Sequence, residues 1–123
     1  APQVVDRLRE HRCVANADSI WSTWVEDPHC DHRTAAIVAR MLSDLSDAAL
    51  WSFAVWGRFG ERPVPDRLGL FFDSRFHRAK RDAMDAYDSQ MTTLIDDDPA
   101  GFTMPPELFE HFASHPEIFF HER

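Results

Sequence analysis

The sequence predicts an all-α protein, a compact bundle of five to seven helices around one central helix. Three observations carry that expectation. Apolar residues recur at spacings of three and four through most of the chain, whereas alternation of period two never persists. Helix punctuation is frequent, with Asp, Ser or Pro ahead of the apolar runs. The stretch 47–59, D-A-A-L-W-S-F-A-V-W-G-R-F, is apolar on nearly every side at helical spacing and is interrupted only by Asp47, Ser52 and Arg58. A helix of that kind must be surrounded by other elements.

The elements follow in order. Val4, Leu8 and Ala15 mark a first amphipathic segment over about 2–14, with His11 on the same stripe. Asp18 caps a short second helix in which Ile20 and Trp24, then Trp21 and Val25, form i,i+4 pairs. Asp27-Pro28 starts a third helix, with Asp at the N-cap and Pro at N1. It runs to about residue 44 and turns Cys30, Ile37, Val38, Met41, Leu42 and Leu45 inward. Ser46 caps the central helix, 46–60, and Gly60 closes it as a left-handed C-cap.

A loop with two prolines follows at 61–65. Leu68, Phe72, Phe76, Ala79, Ala83, Tyr87, Met91 and Leu94 then recur at helical spacing, as one helix over 66–95 or two broken at Gly69 or Asp73-Ser74. Asp96-Asp97-Asp98-Pro99 ends that region. Pro105-Pro106 opens another helix with Leu108, Phe109 and Phe112 inward, and Pro116 restarts a last short turn containing Ile118, Phe119 and Phe120. There is no internal repeat, low-complexity tract or linker in the sequence, so residues 1–123 read as a single helical domain.

Composition bounds the function. The 123-residue, 14.2 kDa chain carries a net charge of −8, which disfavours nucleic acid and anionic membranes and permits a basic protein partner. No apolar run approaches the roughly 20 residues of a membrane span. Nothing resembles an export signal, which points to the cytoplasm, although the Ala-Pro-Gln start is compatible with a processed terminus. The two cysteines, Cys13 and Cys30, allow one disulfide at most and read as reduced thiols.

Candidate sites are few. Asp27-Pro-His29-Cys30-Asp31-His32 is the densest set of potential ligands, with His29 and His32 spaced to share a helix face. Against a metal there, Asp27 reads as a cap and Cys30 lies on the apolar stripe. His111 and His115 have i,i+4 spacing, but Pro116 pushes His115 out of the helix. A four-histidine transition-metal site from His29, His32, His111 and His115 is the fullest such arrangement. Residues 96–107, D-D-D-P-A-G-F-T-M-P-P-E, partly resemble an EF-hand calcium loop. That resemblance implies Asp96, Asp98 and Glu107 as calcium ligands and Gly101 as the turn glycine, while Ala100 and Thr103 depart from the pattern. Arg75, Arg78, Lys80 and Arg81 form the one basic cluster, interlaced with Asp82 and Asp85 as a solvated face.

No Gly-rich phosphate loop, G-x-S-x-G elbow or H-E-x-x-H motif is present, which favours a non-enzymatic role. On the central helix Asp47 and Arg58 fall on nearly the same side, at about 100° per residue, with Trp51 beside them. Asp47, Trp51 and Arg58 are therefore the candidate partner-binding residues. The function expected is a small acidic protein-binding module without a cofactor, of the immunity or antitoxin type that masks a basic partner. The alternatives are a metal-binding protein using His and Cys ligands, with a transition metal such as zinc, and a self-associating subunit that buries surplus apolar surface in a homodimer.

Overall fold

A computed structural model describes residues 2–59, 65–92, 94 and 103–123. It overturns the all-α helical bundle: the fold is mixed α/β, 51% helical and 18% strand, with a four-stranded mixed sheet. The described elements are α1 (Pro2–Arg9), α2 (Arg12–Ala15), β1 (Ser19–Thr23), α3 (Cys30–Asp44), β2 (Ala49–Phe53), β3 (Leu68–Phe71), α4 (His77–Asp85), α5 (Asp88–Met91), α6 (Pro106–Ser114) and β4 (Glu117–His121), with 3₁₀ turns at Trp56–Arg58 and Ser74–Phe76. The sheet order is β1-β2-β4-β3. β1 and β2 pair in parallel from Ser19 opposite Ala49 to Thr23 opposite Phe53, with α3 as the crossover, and β4 returns antiparallel to β2.

The expected central helix, 46–60, is thus β2 followed by a 3₁₀ turn. The physical reason is a period of two inside the apolar run. Leu50, Ser52 and Ala54 are buried, while Ala49, Trp51 and Phe53 are half-buried on the other side. The short helix expected after Asp18 is β1, and the last turn after Pro116 is β4. The helical region expected over 66–95 begins as β3 and a 3₁₀ turn, and only then becomes α4 and α5. The helix expected from Asp27 is present as α3, but its cap is His29, whose side chain accepts the Asp31 N–H. Gly60 lies outside the described residues.

The chain forms two compact units, Ala1–Gly69 with Ile118–Arg123, and Leu70–Glu117. In the first, α3 covers one face of the β1–β2 pair and α1 packs on α3. Val5, Trp24, Ala36, Ala39, Leu42, Ala48, Leu50, Ala54 and Phe120 form its buried apolar set. The Trp24 and Phe120 rings meet at 5.0 Å, with Ile118 against them. The chain end is tied back to α3, where Arg123 donates to the Ser43 carbonyl at 2.6 Å and reaches Asp44 at 3.2 Å. In the second unit α4 packs on α6, burying Phe109 and Ala113. There Arg81 makes a two-pronged ion pair with Glu110 at 2.8 Å for each prong and lies over the Phe109 ring. By sequence, residues 70–117 hold ten acidic residues against four basic ones, whereas the remainder holds eleven against nine. The acidity of the protein therefore resides mainly in the second unit.

Candidate functional site

Two features of the first unit stand out: an aromatic sheet face and the turn that leads into α3. Side chains alternate across a strand, so residues two apart share a face. Ile20, Ser22, Leu50, Ser52, Ile118 and Phe120 point to the helix-covered side, and Trp21, Trp51, Phe53, Phe119 and His121 to the other. Trp21 stacks on Trp51, with centroids 5.4 Å apart and planes 11° from parallel. Phe119 meets Trp21 edge-on at 5.1 Å, and His121 lies 4.5 Å from the Trp51 ring. Arg67 donates to His121 Nδ1 at 3.3 Å, which places a guanidinium at the rim. Trp21 remains 52% exposed and Trp51, Phe53 and Phe119 half-buried. A cluster of rigid aromatic rings left this accessible is unusual for a surface that serves folding alone.

The second feature is built around Asp27, whose side chain is 0% exposed. One carboxylate oxygen accepts from His32 Nδ1 at 3.0 Å and from the His29 N–H at 3.3 Å. The other accepts from the N–H groups of Val55 at 2.9 Å and Gly57 at 3.1 Å. Burial pushes the Asp27 carboxyl up, but hydrogen bonds from Gly57, His32, Val55 and His29 outweigh it and hold the group below the usual carboxylate range. A carboxylate can only accept, so His32 donates through Nδ1, which leaves Nε2 directed away from Asp27. Gly57 is required here by close approach: a Cβ would lie 2.9 Å from the Trp24 ring. Asp27 thus ties the β1–α3 turn to the segment after β2.

His29, Cys30 and Asp31 offer donor atoms within 4.8 Å of one another, all on exposed residues. The His32 ring lies 4.8 Å from that of His29. Cys30 does not sit on the apolar stripe of α3; it and Cys13 are both exposed free thiols. Cys30 donates weakly to the Asp31 carboxylate at 3.6 Å. Asp27 is not the helix cap and Cys30 is not buried, so neither feature counts against a metal here.

The other sequence candidates fall elsewhere. His111 and His115 lie in the second unit. His115 leaves the helix with extended backbone, yet its ring stacks on His111 at 4.0 Å and its Nδ1 donates to the His111 carbonyl at 2.9 Å. Asp96 and Asp98 lie outside the described residues, and Glu107 is in the first turn of α6. Asp47 is exposed in the turn before β2, and Arg58 is half-buried at the end of a 3₁₀ turn. The ring contacts of Trp51 run to Trp21 and His121, on strands that sequence periodicity did not reveal. Trp21, Phe53, Phe119 and His121 are the members of the face that sequence reasoning missed; the available signal was the β-branched and aromatic content of S-I-W-S-T and E-I-F-F-H.

No family model matches the chain, and no curated protein matches it. Among the described residues no helix is long and apolar enough to cross a membrane. Within these bounds, what the first unit defines is a two-layer α/β sandwich with one helix-covered sheet face and one aromatic, half-exposed face.

Proposed function

We propose that this protein is a small acidic protein-binding module whose binding surface is the aromatic sheet face of Trp21, Trp51, Phe53 and Phe119. The observation that carries the reading is the stacked Trp21–Trp51 pair with Trp21 half exposed. Tryptophan concentrates binding energy where it is rigid and becomes desolvated by a partner. The net charge of −8 favours a basic partner and speeds its approach. An inhibitor of the immunity or antitoxin kind, masking a basic protein, fits these properties. The test is a low-salt pull-down and titration against the proteins encoded beside it. Wild type retains one of them, and Trp21→Ala loses at least tenfold in affinity while keeping its circular dichroism. Equal retention by both would remove the aromatic face from the binding surface.

A second reading, metal binding, is favoured by the grouping of His29, Cys30 and Asp31 next to an Asp27-oriented His32. A buried carboxylate fixing one imidazole nitrogen is the usual support of a metal-ligating histidine. Zinc is the class that suits a thiolate with imidazoles. Binding through His29 competes with its capping bond to the Asp31 N–H. A zinc titration monitored by calorimetry separates this reading from the first: one equivalent bound, and lost in Cys30→Ser, supports it, whereas no heat at micromolar protein removes it.

A further inference from the structure

β1 is an edge strand of the sheet. The Ala49 N–H donates to the Asp18 carbonyl and the Trp24 N–H to the Phe53 carbonyl, at 3.0 and 2.9 Å. In a parallel ladder the backbone groups of alternate residues face the same neighbour. Asp18, Ile20, Ser22 and Trp24 therefore direct their N–H and C=O groups to β2. Ser19, Trp21 and Thr23 direct theirs away from the sheet.

Edge strands are normally guarded by a charge, a proline or a bulge. β1, Ser-Ile-Trp-Ser-Thr, has neither charge nor proline, and its register with β2 runs unbroken over all five pairs. Its central residue is the half-exposed Trp21.

We infer that β1 pairs antiparallel with β1 of a second copy of this chain, about a twofold axis through Trp21. The occupant is a second copy because the strand is its own complement. In this register Ser19 faces Thr23 of the other copy, Ile20 faces Ser22 and Trp21 faces Trp21. The outward groups of Ser19, Trp21 and Thr23 then make about six interchain hydrogen bonds. Opposed hydroxyl residues and opposed aromatics are favourable cross-strand pairs. Asp18 falls opposite Trp24, so no acid meets an acid. Long-range repulsion is also small at this edge. The first unit holds eleven acidic against nine basic residues, and the excess acidity lies in residues 70–117.

The twofold axis stands perpendicular to the sheet, so both aromatic faces lie on the same side. Trp51, Trp21 and their twins form one stripe across an eight-stranded sheet. A short strand with one tryptophan buries less than a standard interface of about 1,600 Å². The dimer is accordingly weak, with a dissociation constant on the order of 10–100 µM. This inference does not depend on the protein-binding reading above.

The test is sedimentation velocity of the full chain from micromolar to submillimolar concentration. Wild type shifts from monomer to dimer across that range. Ser19→Pro removes an outward N–H at the first position of an edge strand, where proline is tolerated. It weakens the dimer at least tenfold with circular dichroism unchanged. Trp21→Lys, which opposes two like charges at the axis, leaves a monomer throughout, and it stands in should the proline variant fail to fold. In hydrogen exchange the Trp21 amide gains protection as wild type is concentrated. A wild type that stays monomeric at every concentration overturns the proposal. So does a dimer that persists in the folded variants, because its interface must lie elsewhere.

Discussion

Replacing Asp27 by Asn is the sharpest test of how the first unit is held together. The carboxylate accepts four hydrogen bonds at 2.9–3.3 Å while fully buried. Asn keeps the shape but turns one oxygen into a donor. If the amide nitrogen faces Val55 and Gly57, two buried N–H groups lose their acceptor. If it faces His32, the imidazole can change tautomer and accept from it, and only the longer bond from the His29 N–H is lost. The second arrangement costs less and is the one expected. Hydrogen bonds to charged groups contribute about 1.5–3 kcal/mol each, and orphaned buried donors cost about 1–3 kcal/mol. Losing one bond and the charge on the other three gives about 2–4 kcal/mol of destabilisation. Urea unfolding followed by tryptophan fluorescence reads this as a lower midpoint at unchanged slope. Nitrogen NMR of His32 reads the change of tautomer, from Nδ1–H in wild type to Nε2–H in the variant. A loss below about 0.5 kcal/mol, within the usual range for neutral surface changes, with the His32 tautomer unaltered would refute the keystone role of Asp27.

Three further outcomes follow from the same geometry. The folded Asp27 carboxyl lies below its ordinary value of 3.8, so its stabilisation is present above that pH and lost as pH falls through the depressed value; the stability gap between wild type and Asp27→Asn is therefore constant above about pH 5 and narrows below pH 4 in acid titrations of the urea midpoint. Gly57→Ala forces a methyl to within 2.9 Å of the buried Trp24 ring and costs about 1–3 kcal/mol by thermal or urea unfolding, whereas a neutral result would mean Trp24 has room to move. The Ser52 hydroxyl is buried with no hydrogen-bond partner among the described residues, so Ser52→Ala is neutral or stabilising by up to about 1 kcal/mol, and a loss above 1 kcal/mol would reveal a partner for it.

The helices were legible where caps and prolines punctuate them. Asp27-Pro28 lies next to the true start of α3, residue 44 is its end, and Pro105-Pro106 opens α6. The strands were not, for a physical reason. A five-residue strand puts only two or three residues on each face, and that sample fits both periods. Ile20 with Trp24 satisfies a helical pair, yet Ile20, Ser22 and Trp24 are simply alternate residues on the covered side of β1. The buried Ser52 and the half-buried Ser22 hid the alternation further, because a polar residue on a core face reads as a break in the pattern. The same error displaced the candidate site. Helical geometry grouped Trp51 with Asp47 and Arg58, whereas strand geometry puts Trp51 against Trp21, thirty positions earlier, through the parallel pairing of β1 and β2. Pairing of that range leaves no local signal. Asp27 was noticed as a cap, but its bonds to Val55 and Gly57 depend on the fold and were invisible in the sequence.

The most direct measurement is a binding titration of wild type, Trp21→Ala and Asp47→Ala against whichever neighbouring-gene product the pull-down retains, at low salt. Trp21 sits on the aromatic face, whereas Asp47 is exposed in the turn before β2 and outside the ring cluster. The expected result is at least a tenfold loss for Trp21→Ala and less than a threefold change for Asp47→Ala, with both variants folded. A folded Trp21→Ala that binds as wild type does would place the function off the sheet face.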